Sequence, residues 1–468
     1  MLFTSPEFFA LLACTFLLYY LVGKAQLQKI VLVISSFTFY AWNFPKLLAL
    51  LCVSILINIL TVKAIKQSKA SQRYWWATLG VVINLGILAF FKYSPLLGRT
   101  FFESGSSVGE YLMGIPLPIG ISFFTFQGLS LVVDTYRAKD GDDNLPEHTG
   151  SLVESIALYI AFFPQLIAGP IVKAYEFLPQ IAKKAFRDID WEYCVKQLIV
   201  GYFLKMVIAD NLKDHTFWMQ YPYFMELSGL NLLALLMGYS MQIFADFAGY
   251  SLIALGLAGL FGYRLRDNFM FPYISASFSE FWRRWHISLS TFLREYLYIP
   301  LGGNRKGKVR TYLNLMLTMV LGGFWHGAAW SYAVWGAAHG IALALERFVN
   351  DALPFQWPKA IRFVKIIFIF SVVTLLWLLF RLPAFSEVLL YLSQIKNAPF
   401  FKGVNDLNTA FFISMYALPI LAYHGWYLLK ETGSKEWTVK LEPLLYAGLL
   451  FMILVNSGSS GSFIYFQF

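Results

Sequence analysis

Between Arg310 and Glu346 the chain carries no Asp, Glu, Lys or Arg, and His326 stands near the middle of that run. As a single helix the 35 intervening residues would span roughly 52 Å at 1.5 Å per residue. The hydrocarbon core of a bilayer is only about 30 Å thick. The run therefore reads as two membrane segments, broken near the glycines of Gly322-Gly323-Phe324-Trp325-His326-Gly327, with His326 deep in the protein. An ionisable side chain at membrane depth is costly and marks a functional site by default.

The rest of the chain fits that setting. Of its residues 58% are hydrophobic and 14% charged, whereas a soluble domain carries about 25% charged residues. Apolar segments recur along the whole length. They predict an all-α polytopic membrane protein with about eleven transmembrane helices, plus re-entrant or amphipathic interfacial helices around a central tunnel. Residues 1–468 are expected to form one membrane-embedded domain. The first apolar run follows no basic region and precedes no small-residue cleavage site, so it reads as a retained anchor.

The net charge of +10 does not point to nucleic acid, because the basic residues sit in short loops between apolar runs. Lys24 and Lys29 flank the first connection, Lys63, Lys66, Lys69 and Arg73 fill the third, and Arg137 and Lys139 follow the fifth segment. The second connection, around Trp42–Pro45, has none before Lys46. Odd connections are the basic ones, which places the N-terminus outside the cytoplasm. Cys14, Cys52 and Cys194 lie far apart in apolar sequence, with no spacing that suggests a metal site or a disulfide framework.

Two further stretches carry polar groups in apolar surroundings. From Phe281 to Arg305, Trp282, Trp285, Leu289, Phe292, Leu293 and Tyr296 recur at helical spacing, with Arg284, Ser288, Thr291 and Glu295 on another face. This pattern predicts an amphipathic helix lying in the interface, with His286 near its start. Asp246 lies inside an apolar run, and a buried carboxylate needs a partner such as Arg or His. His339 and His424, in apolar segments, read as packing residues. Nucleotide-binding, serine-hydrolase and zinc-protease motifs are absent, which disfavours a nucleotide-driven pump. A proton-coupled transporter stays open on these residues alone.

The strings Leu117–Gln127, Phe163–Pro170, Ile208–Asn211, Asn268–Ser275, Phe281–Arg305 and Phe324–Ala328 resemble, in order, motifs of the membrane-bound O-acyltransferase family. They are most similar to its bacterial branch for O-acetylation of exopolysaccharides such as alginate. The core of the resemblance covers about residues 116–346. One departure is visible: the family's Asp-Phe-Ser-Gly-Tyr-Ser-Asp reads Asp246-Phe-Ala-Gly-Tyr-Ser-Leu252 here, so no role passes to Leu252.

The resemblance implies an enzyme that moves an acyl group, acetyl from acetyl-CoA, to a hydroxyl of an extracytoplasmic polysaccharide or of a periplasmic partner protein. It implies a multi-pass protein of the bacterial cytoplasmic (inner) membrane, in contact with lipid, with acyl-CoA as donor substrate and no tightly bound cofactor. His326 is implied as catalytic and His286 as the second active-site position, with Trp325 beside them. Histidine, with a reference pKa near 6.5, suits proton removal from a hydroxyl; a covalent acyl-histidine is the other route. His286 or a nearby Arg or Trp N–H is a candidate to stabilise the oxyanion. Arg283, Arg284, Arg305 and Lys306 are candidates for the CoA phosphates, and Trp282, Trp285, Phe324, Trp325 and Trp330 for the walls of a narrow passage. Two other readings stand beside this one: D-alanyl or lipid O-acyl transfer within the family, and an export component without acyl chemistry.

Overall fold

The computed structural model describes residues 1–103, 105–138, 144–167, 169–353, 361–431, 435–459, 461 and 463. Lys139, used above in the loop-charge reading, lies outside them. Every regular element among the described residues is a helix, as the apolar periodicity predicts. The chain divides into two compact units, residues 1–198 with 253–266, and residues 199–252 with 267–468.

The first unit holds α1 (Pro6–Leu21), α2 (Ala25–Ala41), α3 (Pro45–Gln67), α4 (Ala70–Phe101), α5 (Ser107–Met113), α6 (Ile121–Arg137), α7 (Thr149–Ala161) and the single turns α8 (Phe163–Leu166) and α9 (Ala174–Phe177). Local chemistry sets where these helices begin. Pro6 opens α1, and the Ser5 hydroxyl accepts from the Phe8 N–H at 3.3 Å, satisfying an amide the helix cannot. Between α3, α4 and α6 the core is partly polar. Asn58 and Asn84 exchange hydrogen bonds at 3.1 and 3.3 Å, and Gly128 leaves the room they occupy. Small residues and side-chain amides replace the hydrophobic effect as the glue between helices that already sit in an apolar medium.

α10 (Trp191–Tyr202) leads into the second unit, which continues through a π-turn at Phe203–Ala209 and α11 (Asp210–Thr216). α12 (Gly229–Leu260) follows as one unbroken helix of 32 residues, where the apolar run was long enough for two. It is a core helix: 83% of its most apolar window is buried, against 22% for α4.

The remaining helices are α13 (Phe278–Arg284), α14 (Ile287–Leu293), α15 (Lys308–His326), α16 (Trp330–Ala352), α17 (Ile361–Leu376), α18 (Leu378–Arg381), α19 (Phe385–Asn397), α20 (Val404–Glu431) and α21 (Lys435–Val455). Four stretches among the described residues are long and apolar enough to cross a bilayer: Pro45–Gln67, Ala70–Phe101, Gly229–Leu260 and Ile361–Arg381. Pro6–Leu21, Thr149–Ala161 and Leu441–Val455 are apolar but shorter.

Two sequence expectations about this unit need correction. The uncharged run does form two helices, but the break follows His326, where Gly327 and Ala329 are extended, and Gly322 and Gly323 lie inside α15. These glycines serve close packing instead. A Cβ on Gly323 would collide with the Tyr332 carbonyl, and one on Gly336 with the Met319 carbonyl, so α15 and α16 touch backbone to backbone. The predicted amphipathic helix is likewise not continuous. It breaks at Trp285 and His286, and His286 takes φ +44°, a left-handed conformation uncommon for a side chain of this size. The helical stripe runs past this break because residues on both sides of it are buried.

Candidate active site

The second unit brings His286 and His326 together. Their ring centroids lie 6.0 Å apart, and both side chains are buried. Trp325 packs against both, 5.6 Å from His286 and 5.2 Å from His326. Trp335 from α16 and Phe380 from α18 each sit 5.2 Å from His326, edge-on to it.

His286 is held by a residue that the sequence reading left without a role. Asn268 Oδ1 accepts from the Ser288 backbone N–H at 3.2 Å and from the Ser288 hydroxyl at 2.9 Å, and it lies 3.1 Å from His286 Nδ1. A backbone amide can only donate, so the Asn268 oxygen is fixed as the acceptor, and His286 Nδ1 must carry the proton. In the neutral ring the lone pair is then on Nε2. The Ile287 N–H donates to the Asn268 carbonyl at 2.9 Å, and Asn268 Nδ2 donates to Ser251 at 3.1 Å. Together these bonds support the left-handed turn at His286. A residue in a sparsely populated conformation, over-determined by its neighbours, is a pointer to function.

The elements around this turn are anchored from both sides. Ser277 caps α13 by accepting from the Glu280 N–H at 3.0 Å. The Glu346 carboxylate, which ends the uncharged run, accepts from the Phe278 and Ser279 amides at the same helix terminus. α16 thereby holds α13, and α13 leads into His286. From α12, Phe247 meets the His286 ring at 4.6 Å. The neighbouring Asp246 pairs with Lys205 at 2.8 Å, and Lys205 also meets Asp210 at 2.6 Å, all three buried. A basic partner of the kind that the buried Asp246 needs is Lys205, placed by the π-turn at Phe203–Ala209.

His326 lines a largely apolar cavity of about 230 Å³, walled by Trp282, Leu289, Leu293, Met319, Gly322 and Trp335, with Ser290, Arg294, Tyr298 and Thr318 as its polar groups. His286 is not part of that lining. Of the residues expected to wall a passage, Trp282 does so. Trp285 is fully buried away from it, against Trp377 at 5.0 Å, and Trp330 is 54% exposed. Trp335, not anticipated, takes that place.

The four basic candidates do not gather at this cavity. Arg283, Arg305 and Lys306 are exposed, and Arg284 is engaged by Glu280 at 3.0 Å and by the Met270 carbonyl at 3.1 Å. The arginine that reaches the cavity is Arg294, in a π-turn at Arg294–Tyr298. His339 is packed among Trp335, Trp282 and Phe281, with centroids 4.7, 5.1 and 6.0 Å away. His424 Nδ1 lies 2.8 Å from the Ile420 carbonyl.

Chemically, the site offers two imidazoles in an apolar, aromatic shell, one of fixed tautomer and one facing a cavity. That arrangement suits moving a proton during group transfer.

Comparison with known proteins agrees with this chemistry. Residues 142–385, just over half of the chain, match MBOAT, the membrane-bound O-acyltransferase family. A probable alginate O-acetylase, AlgI, of Azotobacter vinelandii is 39% identical over 90% of this chain and 83% of its own length. The peptidoglycan O-acetyltransferase of Helicobacter pylori is 34% identical over 100% of this chain and 98% of its own. The teichoic acid D-alanyltransferase of Bacillus subtilis is 29% identical over 57% of this chain and 68% of its own. The chain is an acyltransferase and belongs to the membrane-bound O-acyltransferase family.

Proposed function

We propose that this protein transfers an acetyl group from a cytoplasmic thioester, acetyl-CoA, to hydroxyls of an extracytoplasmic polysaccharide, directly or through a periplasmic partner protein. The observation that carries this reading is the pairing of His286 and His326, 6.0 Å apart, with His326 on a cavity wall. The relatives named for O-acetylation of alginate and of peptidoglycan support the acetyl group and the polysaccharide acceptor.

In this reading His326 takes the proton of the acceptor hydroxyl as its oxygen attacks the thioester carbonyl. The new C–O bond forms, the C–S bond breaks, and the leaving thiolate recovers the proton from the imidazolium. Neutral His286 presents a lone pair at Nε2, so it serves as a second proton acceptor. Donation from its Nε2 to an oxyanion requires the protonated ring. Trp325 fixes the two rings, and Asp246 acts only through α12. The exposed Arg283, Arg305 and Lys306 remain the proposed contacts for CoA phosphates, whereas Arg284 is already held by Glu280. About eleven spans, an inner-membrane location and an external N-terminus complete the proposal, with donor and acceptor approaching from opposite faces.

Proteoliposomes supplied with radiolabelled acetyl-CoA test it. Label is expected on polysaccharide, in the presence of the partner if one is required. Transfer of D-alanine from a carrier-protein thioester, with no acetyl transfer, would favour the second activity represented among the relatives.

A further inference from the structure

After α21 the chain reads Asn456-Ser-Gly-Ser-Ser-Gly-Ser-Phe463. Glycine and serine at this density ordinarily make a flexible linker. The described residues of this run are seated on the second unit instead. The Asn211 side-chain amide donates to the Asn456 carbonyl at 3.0 Å, and the Gly458 N–H donates to the Met206 carbonyl, in the π-turn, at 2.9 Å. A Cβ on Gly458 would lie 2.7 Å from the Asn211 backbone nitrogen, so only glycine lets the two backbones approach this closely. Exposure falls along the run: Ser457 and Ser459 are exposed, whereas Gly461 and Phe463 are buried.

Phe463, the one aromatic residue of the run, is 0% exposed and meets Tyr250 and Phe247 of α12 at 4.5 and 5.7 Å. Phe247 in turn packs against Phe269 at 4.9 Å and at right angles against the His286 ring at 4.6 Å. Three rings, Phe463, Phe247 and His286, thus stand in sequence from the end of the run to the candidate active site. Asn268 holds His286 at Nδ1. Phe247 bears on the same ring and is itself backed by Phe463. A close-packed interior transmits displacement, so space opened behind Phe247 lets its ring shift, and the His286 ring with it. We propose that Phe463 is a positioning residue for acyl transfer, brought in by the strap Asn456–Phe463 and acting through Phe247 on the His286 ring. The inference rests on the acyl-transfer reading, in which His286 works beside His326.

The test is Phe463→Ala, read by steady-state acetyl transfer in proteoliposomes and by the histidine ¹³Cε1–¹H spectrum, with the His286 signal assigned from His286→Gln. Misplacing a reacting group by about 1 Å costs about 10²-fold, so kcat should fall by roughly 10- to 100-fold. The KM for acetyl-CoA should stay within about twofold, because no binding contact is removed. The His286 signal should shift while that of His148, in the first unit, stays. Phe463→Leu, which refills most of the space, should recover part of the rate and return the signal toward its wild-type position. Gly458→Val should unseat the strap at Asn211 and reproduce Phe463→Ala with every aromatic ring intact. A kcat within about twofold of wild type in folded Phe463→Ala, or a lower kcat with the His286 signal unmoved, would overturn the inference alone. Loss of the melting transition in both Phe463→Ala and Gly458→Val would also overturn it, by assigning the segment to stability. Wild type that transfers no acetyl group would overturn the acetyl-transfer reading, and this inference with it.

Discussion

At the scale of single residues, Asn268 decides how His286 presents itself. Its oxygen is fixed by a backbone amide, so the His286 tautomer follows from geometry and not from choice. Asn268→Leu removes that acceptor and leaves buried donors unmatched, a loss of about 1–3 kcal/mol. If the loss falls on the transition state, transfer should slow by roughly 5- to 150-fold. Asn268→Asp keeps the acceptor and should recover part of the rate. Equal rates for wild type and a folded Asn268→Leu would show that the tautomer does not matter. Lys205 makes a different kind of prediction. Lys205→Met leaves Asp210 and Asp246 buried without their cation, which should cost about 3–5 kcal/mol of stability. Denaturant titration in detergent measures it, and a shift below about 1 kcal/mol would mean that water reaches the pair.

At the scale of elements, the histidines depend on two helix breaks and one close-packed pair. α15 ends at His326, and α13 gives way to α14 at His286. Gly323→Val would force α15 away from α16 at the Tyr332 carbonyl. It should lower both thermal stability and transfer, whereas Gly425→Ala, with open space around its Cβ, should change neither. Comparable melting curves for wild type and Gly323→Val would contradict the backbone contact. The sequence made the two histidines and the two-helix hairpin visible because charge depletion and motif strings are local signals. Asn268 was present within a quoted string, yet its bond to His286 spans 18 residues and leaves no periodic trace. The break at His286 was hidden because buried residues on both sides continue the helical stripe. Arg283, Arg284, Arg305 and Lys306 stood out as a basic cluster, but the turns between them send Arg294 to the cavity instead.

At the scale of the whole molecule, loop charge sets an orientation. In the proposed orientation, the basic first and third connections predict Thr4 outside and Ala70 in the cytoplasm. In a cysteine-free background, an impermeant thiol reagent added to intact cells should label Thr4→Cys and miss Ala70→Cys. The reverse pattern would move the donor to the other face. In the proposed mechanism, transfer depends on His326, which faces the cavity. The most direct measurement is single-turnover acetyl transfer by His326→Ala in proteoliposomes, at matched insertion and melting temperature. A general base contributes about 10²- to 10⁴-fold, so the rate should fall by at least roughly 100-fold. Transfer within a few fold of wild type would contradict the assignment of His326 and, with it, the mechanism built on the pair.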